Sequence, residues 1–151
     1  MIFVPKKSLG QNFLLNKEII KKIVELGKIN SDKTVIEIGP GTGNLTEEIL
    51  KKKPKKFFAI EKDKDLYNNL REKFKSNLNL INDDVLKIQW NKFYGNKNLV
   101  FGNLPYNISS KLLIDWIMLK DLNNIFERLI LMFQKEVADR IVAQTNSSKY
   151  G

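Results

Sequence analysis

The stretch Thr34-Val35-Ile36-Glu37-Ile38-Gly39-Pro40-Gly41-Thr42-Gly43 constrains this chain more than any other. Residues 34–38 form a short apolar, β-branched run that reads as a buried strand. Glycines at 39, 41 and 43 follow without a linker. A helical pattern then starts near Asn44, carries Leu45 and Ile49 on one side and runs to Pro54. Strand, glycine turn and helix in immediate succession open a βαβ unit. The glycines let the backbone turn tightly and approach a ligand closely. The free N–H groups at the start of the next helix suit an anion, either a diphosphate or the carboxylate of an amino-acid-like ligand. The spacing is G-x-G-x-G. A dinucleotide fingerprint would require Gly or Ala at 44, where this chain has Asn44.

The rest of the chain repeats the alternation. Residues 16–27 predict an amphipathic helix with Asn16 as N-cap, Ile19, Ile20, Ile23 and Val24 on one face, and Gly27 as its stop. Strands are predicted at 57–60, about 78–81, about 99–102 and about 128–133. Asp63 caps a helix carrying Leu66, Leu70 and Phe74, Ser109 or Ser110 caps one carrying Leu112, Leu113, Trp116 and Ile117, and a last helix lies near 135–143. Residues 85–97 read as a polar connector, and the Leu112–Trp116–Ile117 face reads as core. This pattern predicts an α/β fold, an open and mostly parallel sheet with helices on both faces. Ligands of such sheets sit at the carboxyl ends of the strands, where the strand order reverses. Gly39, Glu61, Asp84 and Asn103 all fall at such ends.

Composition narrows the chemistry. The chain has 151 residues, one domain's worth, with no Cys and no His. Disulfides, thiolate nucleophiles, Ser-His-Asp triads and His-ligated metals are excluded. The paired acids Asp83 and Asp84 lack a third ligand at useful spacing, so no metal is expected. There are 26 basic and 17 acidic residues, net +9, which points to a polyanionic partner and to nucleic acid ahead of a membrane surface. No apolar run approaches a membrane span and the N-terminus does not read as a signal peptide, so the expected compartment is cytoplasmic.

Glu61 lies 22 residues past Gly39, at the end of the second strand, where a carboxylate can accept both hydroxyls of a ribose. Asp84, after the third strand, can accept from the exocyclic amine of an adenine. An adenosine at one end and an amino acid at the other describe S-adenosylmethionine. The fourth strand ends in Gly102-Asn103-Leu104-Pro105-Tyr106-Asn107-Ile108. Pro105 forbids helix at Leu104 and stiffens the turn. The Asn103 side-chain oxygen and the Leu104 carbonyl are two acceptors suited to an amino group with two N–H donors, and Tyr106 offers a face on which a flipped base can stack.

These features together resemble the ribosomal RNA adenine dimethyltransferases, a family that holds kasugamycin-resistance and macrolide-resistance branches. The resemblance rests on Lys6-Lys7-Ser8-Leu9-Gly10-Gln11-Asn12-Phe13-Leu14, Glu37 to Gly43, Glu61, Asp84, Asn103 to Ser109, and Gln134-Lys135-Glu136-Val137-Ala138. It implies a Rossmann-like class I S-adenosylmethionine-dependent methyltransferase, with cofactor bound by Asn12, Leu14, Gly39, Glu61, Asp84 and Asn103, and transfer carried by Asn103, Leu104 and Tyr106. From the residues alone, Asn12 and Leu14 are a helix lead-in. The resemblance further implies dimethylation of two adjacent adenosines near the 3′ end of small-subunit (16S) rRNA, a pre-30S partner and a monomer. The family continues past the position of Gly151. The chain is therefore expected to be the catalytic domain (1–151) without its last strands and without the C-terminal helical RNA-binding domain. The competing readings are a non-catalytic RNA-binding or ribosome-assembly factor and a macrolide-resistance type large-subunit rRNA methyltransferase. Lys51-Lys52-Lys53-Pro54-Lys55-Lys56 reads first as a solvated helix end, where cations complement the dipole, with an rRNA phosphate contact as the alternative.

Overall fold

The computed structural model describes Lys6 and residues 11–75, 78–104 and 106–149, with the side chains of Tyr106 and Asn107 outside that description. Five strands, β1 (Thr34–Ile38), β2 (Lys56–Ile60), β3 (Asn79–Ile81), β4 (Asn98–Asn103) and β5 (Phe126–Met132), alternate with six helices: α1 (Lys17–Leu26), α2 (Asn44–Lys51), α3 (Lys64–Phe74), α4 (Tyr106–Ile117), α5 (Leu122–Ile125) and α6 (Lys135–Ile141). The strands form one parallel sheet in the order β3-β2-β1-β4-β5. The chain moves outward from β1 to β3 and then returns to the other side of β1. The strand order therefore reverses between β1 and β4, and a crevice opens there at their carboxyl ends.

Strand alternation assigns side chains to two cores. Val35 of β1, Phe57 and Ala59 of β2, and Leu99 and Phe101 of β4 face α1, α2 and α3, packing with Ile20, Val24, Ile49 and Leu70. Ile36, Ile38, Ile60 and Val100 face the other way, onto Leu112 and Trp116 of α4 and onto Trp90, Phe93 and Phe126. Among the described residues no helix is long and apolar enough to cross a membrane.

Several local expectations are met. The Asn16 side chain accepts the N–H groups of Glu18 and Ile19, and that of Asp63 accepts those of Asp65 and Leu66. Others need correction. Residues 85–97 hold two 3-10 turns, at Val85–Lys87 and Trp90–Phe93. Trp90 there packs edge-on against Trp116 at 5.2 Å, so the connector supplies core. Helix α4 starts at Tyr106, which places Ser109 and Ser110 inside it and not at its cap. Leu112 and Trp116, one turn apart, are buried, whereas Ile117 stands off that stripe and is 58% exposed. Ile19 is likewise outside the buried face of α1. Gly27 keeps helical φ, and the left-handed step falls at Lys28. Gly27 is required for space, since a Cβ there would lie 2.4 Å from the Phe101 ring.

Candidate active site

The crevice at the switch point is lined by the glycine loop, the ends of β2 and β4, the segment 83–86 and the N-terminal segment 11–14. Asn12, Leu14, Gly39, Glu61, Asp84 and Asn103 all border it. Gly39 has φ +65° and faces open space, its nearest prospective Cβ contact being the Asn103 carbonyl at 3.9 Å. A side chain at Gly39 would fill the cradle. Gly43 is different: at φ +82° a Cβ would meet Phe74 at 2.6 Å, so this glycine serves the packing of α2 on α3.

Glu61 is nearly buried. Its Oε2 accepts the Gly41 N–H at 3.1 Å and its Oε1 accepts the Asp63 N–H at 2.9 Å. Burial pushes its pKa up against these two bonds. A carboxylate has about four acceptor positions, so two remain for a ligand's hydroxyls. Asp84 pairs with Lys62 at 2.8 Å and accepts the Leu86 N–H at 3.1 Å, which starts the first 3-10 turn. The Lys62 ammonium holds its carboxyl below the usual range.

The N-terminal segment is tied at both ends. Asn44 Nδ2 donates to the Leu14 carbonyl at 2.9 Å, and Asn103 Nδ2 donates to the Asn12 carbonyl at 2.7 Å. Asn44 is the residue that departs from the dinucleotide fingerprint, and this bond gives it a purpose. The Asn103 bond sets the orientation of its amide, with Oδ1 on the opposite side from the Asn12 carbonyl. Farther back, Lys6 bridges Asp63 and Asp65, each at 2.8 Å, and Gln11 Nε2 donates to Asp63 at 3.1 Å. Burial alone would raise the Asp63 carboxyl. Lys6 and the helix-start N–H groups outweigh it and hold the group low.

Leu104 is buried in the aromatic core, against Gly102, and does not border the cleft with its side chain. Only its main chain is available to the corner. The Tyr106 side chain lies outside the described residues. Lys62, Gln11 and Asn44 also line the cleft, with Asp63 holding Gln11 and Lys6 from behind, and sequence reasoning assigns none of them such a role. The adjacency of Lys62 to Glu61 at a strand end is the one signal it offers. Glu37 also borders the cleft, buried beneath the loop, with Thr46 Oγ1 donating to its Oε2 at 2.7 Å. Among the described residues no acid cluster suited to a metal is present.

The sheet order, the glycine loop after β1 and the acidic residue ending β2 define a Rossmann-like class I S-adenosylmethionine-dependent methyltransferase fold. Residues 2–151 match the family described as ribosomal RNA adenine dimethylase, and the chain belongs to that family. It is 54% identical over 151 residues to the ribosomal RNA small subunit methyltransferase A of Pelagibacter ubique (strain HTCC1062), covering all of this chain and 57% of that one. It is 49% identical over 152 residues to the protein of the same name from Wolbachia sp. subsp. Drosophila simulans (strain wRi), covering 97% and 54%. The chain thus spans little more than half the length of these relatives. Among solved structures it resembles a dimethyladenosine transferase from Plasmodium falciparum, with TM-score 0.80, 34% identity, and 93% and 50% of the two chains covered. It also resembles the 23S rRNA methyltransferase ErmE, with TM-score 0.72, 28% identity, and 85% and 50% covered.

Proposed function

We propose that this chain is the catalytic part of an S-adenosylmethionine-dependent rRNA adenine N6,N6-dimethyltransferase, modifying two adjacent adenosines near the 3′ end of small-subunit rRNA within a pre-30S particle. The observation that carries the reading is the meeting of Asn103 with Glu61, Asp84 and the glycine loop in one cleft. The cytoplasm is its place of work, and the catalytic unit acts as a monomer.

The cleft fits the cofactor. Glu61 would accept the ribose hydroxyls, Asp84 would accept the adenine amine, and the open cradle at Gly39, walled by Asn12 and Leu14, would take the methionine end. Bound there, S-adenosylmethionine supplies an electrophilic methyl group on a sulfonium. The target nitrogen is a poor nucleophile, because its lone pair is delocalised into the adenine ring. Asn103 Oδ1 and the Leu104 carbonyl would accept the hydrogens of the amine, draw the nitrogen toward tetrahedral geometry and direct its lone pair into the cleft, and the proton that the nitrogen gives up on methylation would pass to water. This is positioning and electrostatics, and it needs no His or Cys. Tyr106, by residue type and place in the sequence, would supply the stacking face for the flipped base.

The small-subunit assignment is favoured over the large-subunit one by the names of the curated relatives. The test is methyl incorporation by the full-length protein into unmodified small-subunit particles and, separately, into large-subunit rRNA. Asn103→Ala should slow transfer on the order of 10²–10³ while leaving RNA binding nearly intact. Tyr106→Ala should lose stacking of about 1–3 kcal/mol, and Tyr106→Phe should lose little. Near-normal turnover by Asn103→Ala would return the corner to a structural turn.

A further inference from the structure

The sheet end away from the cleft has a chemistry of its own. Because the strands are parallel, the turns that lead into them share one rim, opposite the glycine loop. Register makes these turns neighbours: Thr34 pairs with Lys56 and Val35 with Leu99, and the Lys55 N–H donates to the Lys33 carbonyl at 2.8 Å. The turns before β1, β2, β3 and β4 each place a lysine at positive φ, namely Lys28 (48°), Lys53 (52°), Lys75 (46°) and Lys97 (47°). Gly or Asn suits that backbone region better. All four lysines are exposed, as are Lys55 and Lys56. None of the six forms an ion pair with a described residue. Asp32 is the one acid in the sequence of these turns, and Glu127 of β5 is committed to Lys33 at 2.7 Å. At the cleft end, by contrast, Glu61 and Asp63 follow β2 and Asp83 and Asp84 follow β3.

Dipole complementarity accounts for Lys51, which lies in the last turn of α2 and is paired with Glu48. It does not reach Lys53, Lys55 and Lys56, which lie beyond the helix. We propose that this rim is a second RNA contact, where lysines at the strand starts hold phosphodiesters of the same folded RNA whose adenine the cleft receives. The proposal rests on the RNA-substrate reading above. Lysine is a mobile point charge suited to phosphates, and such contacts supply affinity without reading sequence. A five-residue strand such as β1 separates the two ends by on the order of 17 Å. A folded RNA can span that distance from an adenine seated in the cleft. The described residues of the rim form turns and offer no amphipathic helix to lie on a bilayer, so RNA fits it better than anionic lipid.

The test uses the full-length protein with Lys53→Glu, Lys55→Glu and Lys56→Glu combined, against a control carrying Lys17→Glu, Lys21→Glu and Lys22→Glu on α1. Melting curves and cofactor calorimetry establish that each variant is folded and loaded. For the rim variant, the log–log salt slope of binding to a folded small-subunit rRNA fragment should become shallower by about two to three. The particle KM should rise about tenfold or more at physiological salt, with kcat and cofactor affinity unchanged. The triple Lys→Arg variant should behave as wild type, and a short single-stranded adenine oligonucleotide should bind both equally. Equal losses in rim and control variants, or a loss in kcat instead of KM, would overturn the proposal. So would a rim variant that loses only sedimentation with anionic phosphatidylserine vesicles. A wild-type protein that binds and methylates no RNA refutes the substrate reading and the rim with it. An active wild type with a normal rim variant refutes the rim alone.

Discussion

Glu37 is a carboxyl group held out of water. Alternation along β1 puts it on the same face as Val35, toward Thr46 of α2, and burial pushes its pKa up to about 8. The Thr46 hydroxyl opposes that shift without cancelling it. The consequence for stability has a definite sign. Below the ordinary value of 4.5 both folded and unfolded states are protonated. Between there and about pH 8 the unfolded chain ionises while the folded one does not, so stability falls across that window and then levels off. Glu37→Gln keeps an acceptor for Thr46 and removes the ionisation. Its urea midpoint should match wild type near pH 4.5 and exceed it by pH 8, by at most a few kcal/mol in stability. A constant difference between the two proteins across that range would show that Glu37 titrates normally.

The acids at the next two strand ends differ from Glu37. They are legible in the sequence, because their position alone places them at a ligand crevice. Glu61→Ala and Asp84→Ala should each weaken S-adenosylmethionine binding by about 1.5–3 kcal/mol per lost charged hydrogen bond, measured by calorimetry. Unchanged affinity in both would remove them from the cofactor site. What the sequence does not show is the company they keep. The Lys62–Asp84 pair joins residues 22 apart, and the Asn103–Asn12 bond joins residues 91 apart. Such pairings exist only once the sheet order is known.

At the level of elements, the β1–α2 turn combines two glycine requirements that look alike in sequence. Gly39 and Gly43 both have positive φ, so Ala at either should cost about 1–2 kcal/mol in backbone strain. Only at Gly43 does the new Cβ also meet Phe74 and Leu70, adding about 1–3 kcal/mol of overpacking. Gly43→Ala should therefore lower the melting temperature more, whereas Gly39→Ala should lose more cofactor affinity for its smaller structural loss. The reverse ranking in paired melting and calorimetry would contradict the open cradle at Gly39. Helix α4 shows why element boundaries are harder to read. Ser109 is a good cap by type, yet Pro105 in sequence suits the start of a helix and the turn begins at Tyr106. The 3-10 turns at 85–93 are hidden because their apolar residues, Val85, Trp90 and Phe93, follow neither strand nor helix period.

At the scale of the molecule, periodicity is enough to place five strands and a reversal of strand order, because a doubly wound sheet leaves few alternatives. It does not place the aromatic layer, in which Trp90 and Phe93 of the second 3-10 turn, Trp116 of α4 and Phe126 of β5 meet on one face of the sheet. Both tryptophans of the chain lie in that layer, and none in the layer of α1, α2 and α3. This asymmetry permits a test of whether the two cores are one cooperative unit. Strands β1 and β4 contribute to both, with Val35 and Leu99 on one side and Ile36 and Val100 on the other, so neither layer can open without exposing the back of its sheet. Leu70→Ala, on the face without tryptophan, should cost about 2–5 kcal/mol. It should shift the tryptophan-fluorescence midpoint in urea as far as the far-ultraviolet circular dichroism midpoint, as a two-state transition requires. Leu112→Ala on the tryptophan face should behave in the same way. A fluorescence midpoint that stays in place while the dichroism midpoint falls would mean that the layers unfold separately and that the shared strands do not couple them.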